Sequence, residues 1–374
     1  MKRDERIQIM QKNLLAWYRV HRRDLPWRRT RDPYAIWLSE IMLQQTQVAT
    51  VIPYYERFLK EFSTVQALTN SPLDRVLKLW QGLGYYSRAR NLHRAAQIVV
   101  SEYHGKFPQT TAVLNSLPGI GRYTAGAIAS IAFDLDEPVL DGNVERVLCR
   151  VFRIKMSPKE TATHKKLWTL ARTIIPTGKA CFFNQALMDL GATICTPRRP
   201  ACERCPLRDI CQALKNNEQN DLPIKKRRPP SPHYDVAAGI IWKNNRILID
   251  QRKPQGLLGG LWEFPGGKRE PHETLEECLI REVREELAIE IEVGEKLTVV
   301  KHAYTHFRIT LHAFECRYRT GRPQAVQCAD FKWVKLAELE NFAFPKANEK
   351  ILSALRQKYA TQSAPAIAAT HPEL

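Results

Sequence analysis

Residues 1–211 repeat one pattern: apolar side chains recur three or four positions apart, and Gly, Pro, Ser or Asn break the runs. VATVIPYYERFLKEF, DRVLKLWQGL, ARNLHRAAQIVVSEY, TAGAIASIAF and VERVLCRVF are examples. The spacing predicts helix after helix. The first is MKRDERIQIMQKNLLAWY, which reads as an amphipathic helix rather than a signal peptide because it lacks an apolar core. Residues 212–232 turn polar, then basic, then proline-rich, the composition of a linker. Its run Lys225 to Arg228 suits phosphate contacts and equally a solvated linker. From Tyr234 the pattern is mixed. DVAAGIIWKNNRILIDQRK predicts two strands around an Asn-Asn turn, residues 273–287 a helix, and ITLHAFECRY and FKWVKL strands. Residues 233–359 thus form an α/β or α+β domain, and the Ala-, Thr-, Ser- and Pro-rich tail 360–374 is expected to be disordered.

Length agrees with more than one domain, since 374 residues exceed one ordinary core. Charge narrows the partners. With 57 Lys+Arg against 39 Asp+Glu the net charge is +18, which favours a polyanion such as nucleic acid, although a solvated cationic surface gives the same count. No apolar run is long enough to span a membrane. Of the nine cysteines four fall within seventeen residues, a clustering that suggests metal rather than disulfides.

Those four, Cys195, Cys202, Cys205 and Cys211, have the spacing C-x6-C-x2-C-x5-C. Four thiolates from one short loop hold either a tetrahedral zinc or a [4Fe–4S] cluster, and spacing alone does not choose. No acid or base accompanies them, so the centre reads as structural. Arg198, Arg199, Arg204 and Arg208 in the same loop make it a candidate phosphate grip.

Three further segments carry candidate chemistry. LPGIGRYTAGAI (117–128) places Gly119 and Gly121 in a tight turn that opens a helix near Tyr123, a geometry that aims backbone N–H groups at an anion. Asp141, in VLDGNVERVLCRVF, stands before an apolar-periodic helix, where an N-cap is the plain reading and a carboxylate fixed in a cleft the functional one. Glu40 lies in DPYAIWLSEIMLQQT with Ile36, Trp37 and Leu43 as helical neighbours. An acid so placed should have its charged form destabilised and its pKa raised, as a general acid requires. A Glu at the edge of an amphipathic face explains the position equally well.

Taken together these segments resemble the helix–hairpin–helix glycosylases of the endonuclease III type, and within them the adenine DNA glycosylase (MutY) family. SEIMLQQTQV, QGLGYYSRARNLH, LPGIGRYTAGAI, LDGNVERV and the cysteine loop carry the resemblance across nearly the whole chain. It implies a multidomain protein: an all-α helix–hairpin–helix glycosylase domain with an iron–sulfur loop at 1–211, then an α+β Nudix-like domain. It also implies a [4Fe–4S] cluster on the four cysteines. Cleaving an N-glycosidic bond needs one acid to protonate the leaving base and one charged carboxylate beside the cationic sugar, with the base flipped out of the duplex. By resemblance Glu40 is that acid and later helps activate water, while Asp141 stabilises the sugar. Tyr123 and Asn143 lie beside the reacting nucleotide. Trp27 and Arg28 line the adenine pocket, and Gln45, Thr46, Leu83 and Tyr85 wedge into the duplex and meet the opposite base. Bifunctional relatives have a lysine at position 123; a tyrosine cannot form their imine, so Tyr123 implies base release without strand cleavage. The implied partner is double-stranded DNA with adenine opposite 8-oxoguanine or guanine. The implied protein is a monomer, cytoplasmic and of bacterial type.

The stretch GGKREPHETLEECLIREVREELAIEI fits the Nudix box, with Gly267, Glu273, Arg281, Glu282, Glu285 and Glu286 in place and Ala288 where the box has glycine. Glu282, Glu285 and Glu286 share a helical face and are candidate Mg²⁺ ligands; a solvated amphipathic helix is the plainer reading. By resemblance this domain reads 8-oxoguanine, with Tyr304, Thr305 and His306 standing where the family has a Phe-Ser-His segment. Three rivals remain open: a bifunctional oxidised-pyrimidine glycosylase, a nucleotide pyrophosphohydrolase tethered to DNA, and a non-catalytic DNA-binding module.

Overall fold

The structure, a computed structural model, describes residues 2–224 and 230–360. The basic run Lys225 to Arg228 and the tail beyond residue 360 lie outside them. The chain divides into two compact units: Met1–Ser71 with Arg90–Arg228, and Pro72–Ala89 with Pro229–Leu374. The segment Pro72–Ala89 therefore clusters with the C-terminal unit although the helices on either side of it belong to the first. Among the described residues no helix is long and apolar enough to cross a membrane.

The first unit is helical. Its opening helix, Arg3–His21, buries Ile7, Met10, Leu14 and Tyr18, one stripe at three- and four-residue steps, in a core shared with Val144, Val147 and Leu148 of the helix Gly142–Val151 and Phe183, Leu187 and Leu190 of the helix Ala180–Thr193. The helix Pro33–Leu43 is apolar all round, and each residue from Tyr34 to Met42 is buried. Its start is fixed by Pro33 at the first position and by Asp32, whose carboxylate accepts from Tyr34 N at 3.1 Å. The short helix Thr111–Ser116 and the helix Arg122–Ala132 flank the predicted hairpin turn. There Gly119 has φ +77°, and a Cβ at that position would stand 2.8 Å from Asn91 Cβ, so conformation and space both select glycine.

The second unit is a six-stranded mixed sheet between helices: β1 (His233–Lys243), β2 (Arg246–Gln251), β3 (Trp262–Glu263), β4 (Ile289–Ala303), β5 (Arg308–Gly321) and β6 (Asp330–Val334). The strand order is β3-β2-β1-β5-β4, with β6 pairing β2; β1 and β5 run parallel and the other pairs antiparallel. The predicted turn between β1 and β2 is made by Asn244 (φ +47°) and Asn245 (φ +59°), the left-handed pair that a two-residue hairpin needs. Alternate residues serve opposite faces. Ala238 and Ile240 pack with Ile351 and Leu355 of the helix Lys346–Ala360, whereas Ala237 and Ile241 pack with Leu279 and Val283 of the helix Leu275–Leu287.

Candidate active site

In the first unit one cavity of about 550 Å³ gathers Trp27, Arg28, Glu40, Gln45, Thr46, Tyr123, Asp141 and Asn143 in its lining. Eight residues chosen from four separate sequence segments thus meet in one place.

Glu40 projects from the Pro33–Leu43 helix and is 5 % exposed. Burial pushes its carboxyl up to about 7; the Tyr123 hydroxyl opposes that rise, the Asp141 charge adds to it and Arg28 opposes it. Its Oε2 is buried with no hydrogen-bond partner among the described residues. An acid poised near neutral pH with one oxygen uncommitted is equipped to give up a proton.

Asp141 is treated differently. It is the N-cap of Gly142–Val151, so the plain reading of that position is correct, and the same residue lines the cavity. Oδ1 accepts from Asn143 N at 3.0 Å and Val144 N at 2.8 Å, and Oδ2 from Asn143 Nδ2 at 2.8 Å. Burial pushes this carboxyl up while the three hydrogen bonds pull it back toward the charged form. Burial thus raises both carboxyls, and Asp141 alone of the two carries three hydrogen bonds that favour its charged form.

Residues that sequence reasoning missed hold these groups in place. Asp189, 0 % exposed in the Ala180–Thr193 helix, accepts from Arg28 Nη1 at 2.6 Å, Arg28 Nη2 at 2.8 Å and Arg23 Nε at 2.6 Å. Burial alone would raise its pKa, but the bonds and charges of Arg28 and Arg23 hold it below the ordinary carboxylate range. The signal was present: a lone acid in ALMDLG, an apolar helical run, is the pattern that singled out Glu40. Gln185 and Met188, on the same helix, complete the wall, and Tyr123 donates its hydroxyl to Met188 Sδ at 3.3 Å. Arg146 was missed too. It donates to Asn143 Oδ1 at 2.8 Å, Gly191 O at 2.7 Å and Cys195 O at 2.7 Å, joining the cavity wall to the first cysteine of the loop. Helix packing there is tight, since a Cβ on Gly191 would stand 2.6 Å from Asn143 Cβ.

Cys195, Cys202, Cys205 and Cys211 line one cavity, otherwise bounded by side chains such as Val147, Leu190, Ile194 and Leu207. None of the nine cysteines is in a disulfide. Burial pushes up the thiols of Cys205, to about 12, and Cys211; backbone N–H groups of Leu207 at Cys205, and of Ala213 and Leu214 at Cys211, oppose that and favour thiolates. Arg150 Nη1 donates to Cys195 Sγ at 3.2 Å. Among the described residues no three such ligands converge on a single ion. Four thiols lining one cavity are a donor set that fits an iron–sulfur cluster. Arg198, Arg199, Arg204 and Arg208 are all exposed.

The remaining predicted residues lie in the second unit. Leu83 is buried, Tyr85 is 39 % exposed, and the Tyr85 hydroxyl bonds Thr305 Oγ1. Tyr85 (φ +48°) and Gln45 (φ +58°), both wedge candidates, are held in left-handed backbone, a conformation that costs energy in non-glycine residues and clusters at functional sites. Tyr304 to Phe307 form a turn, Tyr304 N donating to Phe307 O at 2.8 Å, with Thr305 and His306 exposed. Glu282, Glu285 and Glu286 do not assemble as a cation site. Arg281 bonds Glu273 at 2.7 and 3.0 Å, Glu282 at 3.0 Å and Glu285 at 3.5 Å. Burial pushes Glu286 up to about 8, and its Oε2 accepts from Gly266 N at 3.3 Å. The residues do not fit the Mg²⁺ that the box suggested.

Comparison with known proteins agrees with this geometry. Residues 38–173 match the HhH-GPD superfamily of base excision DNA repair proteins, residues 195–211 the iron–sulfur binding domain of endonuclease III, and residues 236–354 the NUDIX domain. The structure of a thermostable thymine-DNA glycosylase superposes with a TM-score of 0.53 at 33% identity, covering 57% of this chain and 98% of that one. The adenine DNA glycosylase of Rattus norvegicus is 37% identical over 92% of this chain and 77% of its own. Those of Homo sapiens (37%, covering 91% and 72%) and Buchnera aphidicola subsp. Acyrthosiphon pisum (35%, covering 92% and 97%) are similar at the same level. A helical base-excision domain with an iron–sulfur loop and a Nudix-like α+β domain with a mixed sheet account for both units, and the chain belongs to the adenine DNA glycosylase family.

Proposed function

We propose that this DNA glycosylase removes adenine mispaired with 8-oxoguanine or guanine from duplex DNA and stops after base release. One observation carries the reading: in one cavity Glu40 is an uncommitted acid with its pKa near 7, and Asp141 is a fully hydrogen-bonded carboxylate. Glu40 protonates the leaving base, which weakens the C–N bond; Asp141 and Asn143 face the cationic sugar that forms. Glu40, then a carboxylate, takes a proton from the attacking water. Tyr123 supplies no amine, so no imine with the sugar forms and the backbone stays intact. Trp27 and Arg28 hold the base; Gln45, Thr46, Leu83 and Tyr85 enter the duplex; Gly119 and Gly121 grip a phosphate. Tyr304, Thr305 and His306 meet the opposite base, a role supported by the Tyr85–Thr305 bond. Cys195, Cys202, Cys205 and Cys211 hold a [4Fe–4S] cluster, which when bound cross-links the loop that abuts Arg146. The same proposal takes 1–211 as catalytic domain, 212–232 as linker and 233–359 as reader, in a monomer.

The test is a duplex with adenine opposite 8-oxoguanine, incubated with the protein and then treated with or without alkali. Strand breaks only after alkali are expected. Breaks without alkali, or a stoichiometric borohydride-trapped adduct, would refute base release without lyase action. No breaks under either condition would refute the substrate.

A further inference from the structure

We infer that the excised base leaves through a second chamber behind the catalytic cavity, while the DNA still fills the front. This rests on the base release proposed above. A flipped nucleotide enters through the mouth of the cavity, and its sugar and phosphates remain there after the bond breaks. A base in a blind pocket would wait for the DNA to depart.

Further space lies beside the pocket. A chamber of about 300 Å³, within the small-molecule range, adjoins it in the same unit. Arg23, Arg28, Ile131 and Gln185 line both spaces and so form the partition between them. Beyond it lie Tyr18, Thr30, Arg31 and Phe182, the last 46 % exposed.

The chamber's chemistry suits a purine base. Five arginines line it, but Arg29 is paired with Asp24, Arg31 with Asp134, and Arg23 and Arg28 share Asp189. Three carboxylates thus offset part of the charge of five guanidiniums, Arg22 being the fifth, and leave guanidinium planes beside aromatic rings. Arg28 lies 5.8 Å from the Tyr18 ring centre and Arg31 6.0 Å from that of Phe182. Such planes stack on a base, and their N–H edges match the acceptor nitrogens of adenine. The partition has one weak member. Asp189 clamps Arg23 and Arg28 with charged bonds, whereas Gln185 is held by neutral ones: it accepts from Tyr18 OH at 2.9 Å and donates to Cys181 Sγ at 3.2 Å. Rotation of Gln185 opens the passage and leaves the arginines in place.

The experiment plugs the chamber from its outer wall. Thr30→Trp fills it, and Phe182→Trp does so from an exposed lining residue should Thr30→Trp fail to fold. Full-length protein in excess is mixed with duplex carrying radiolabelled adenine opposite 8-oxoguanine, and alkali-labile sites are counted over time. In parallel the adenine-to-DNA ratio is measured on a filter that retains protein–DNA complexes. Wild type should show a ratio near zero as sites form; the plugged variants should form sites at the wild-type rate and hold a ratio near one. Equal ratios in wild type and variants, whether low or high, would overturn the passage. Failure of wild type to form alkali-labile sites would instead strike the proposed reaction.

Discussion

Each unit buries a carboxyl group whose pKa rises to about neutrality or above, Glu40 in one and Glu286 in the other, and the two differ in what surrounds them. In the helical unit Glu40, pushed up to about 7, keeps Oε2 uncommitted in a cavity of about 550 Å³. In the C-terminal unit Glu286, pushed up to about 8, takes a backbone N–H, while Glu273, Glu282 and Glu285 surround Arg281. A shifted pKa therefore marks burial in both places and chemistry in one. An oxygen left without a partner does not separate them, since Asp250 Oδ1 in the C-terminal unit has none either; what Glu40 has besides is a cavity to face.

The sharpest way to break this contrast is to remove the acid on each side. Glu40→Gln should slow base release by about 10²- to 10⁴-fold in single-turnover assays, the range for a lost general acid, whereas Glu282→Gln should leave it unchanged. A comparable loss in both variants would mean that the C-terminal carboxylates take part in the chemistry. The pH dependence sharpens the same point. Glu40 is protonated below about 7 and charged above it, so base release should fall as pH rises through 7. Its burial costs stability in the same direction. The penalty is absent below pH 4.5, grows between 4.5 and about 7 and is full above that, so at pH 8 Glu40→Gln should stabilise the protein by about 3 kcal/mol, at 1.36 kcal/mol per pKa unit, and hardly at all at pH 4.5. Denaturant melts at the two pH values measure the difference.

Smaller effects belong to the C-terminal unit. Arg281→Met leaves its glutamates facing one another and should destabilise that unit by about 1 to 2 kcal/mol, a range discounted for partial exposure, with base release unaffected. The smallest concerns Ala288, which caps the Leu275–Leu287 helix at φ +54° where the box has glycine. Ala288→Gly relieves the left-handed strain and gives back some of it as unfolded-chain entropy, so a gain of about 0.5 kcal/mol is expected by thermal melting. A loss would mean that the methyl group packs to some advantage.

What could be read from the sequence was what local pattern encodes. The cysteine loop stood out because its ligands are close in sequence; Glu40's apolar neighbours at helical spacing marked it as a candidate, but the combination of segments and the family resemblance decided for it. Asp141 was read two ways, and the structure makes both true of one side chain. Asp189 carried a local signal, a lone acid in an apolar run, but its purpose lay in Arg28, 161 residues away, and Arg146 carried none, its partner Cys195 being 49 residues away. The strand Ile289–Ala303 was also missed. Its register with β5 shifts between Glu290 and Ile291, between Val293 and Lys296, and again between Lys296 and Thr298, which breaks the alternation by which a strand is recognised.

The grouping of Pro72–Ala89 with the C-terminal unit has a consequence in time. Lys78 donates to Phe342 O at 3.0 Å, Gln81 to Glu349 Oε1 at 2.8 Å and Tyr86 to Phe344 O at 3.5 Å, partners 264, 268 and 258 residues away. A ribosome adding about 5 to 20 residues per second takes roughly 13 to 50 seconds to cover that distance. Throughout that interval the nascent chain carries the first strip of its second unit without the partners that strip will bind, and most of the first unit is made in the same interval. The order of synthesis and the order of the units do not coincide, and the helix Lys346–Ala360 belongs to a unit whose first strip is made more than 250 residues earlier.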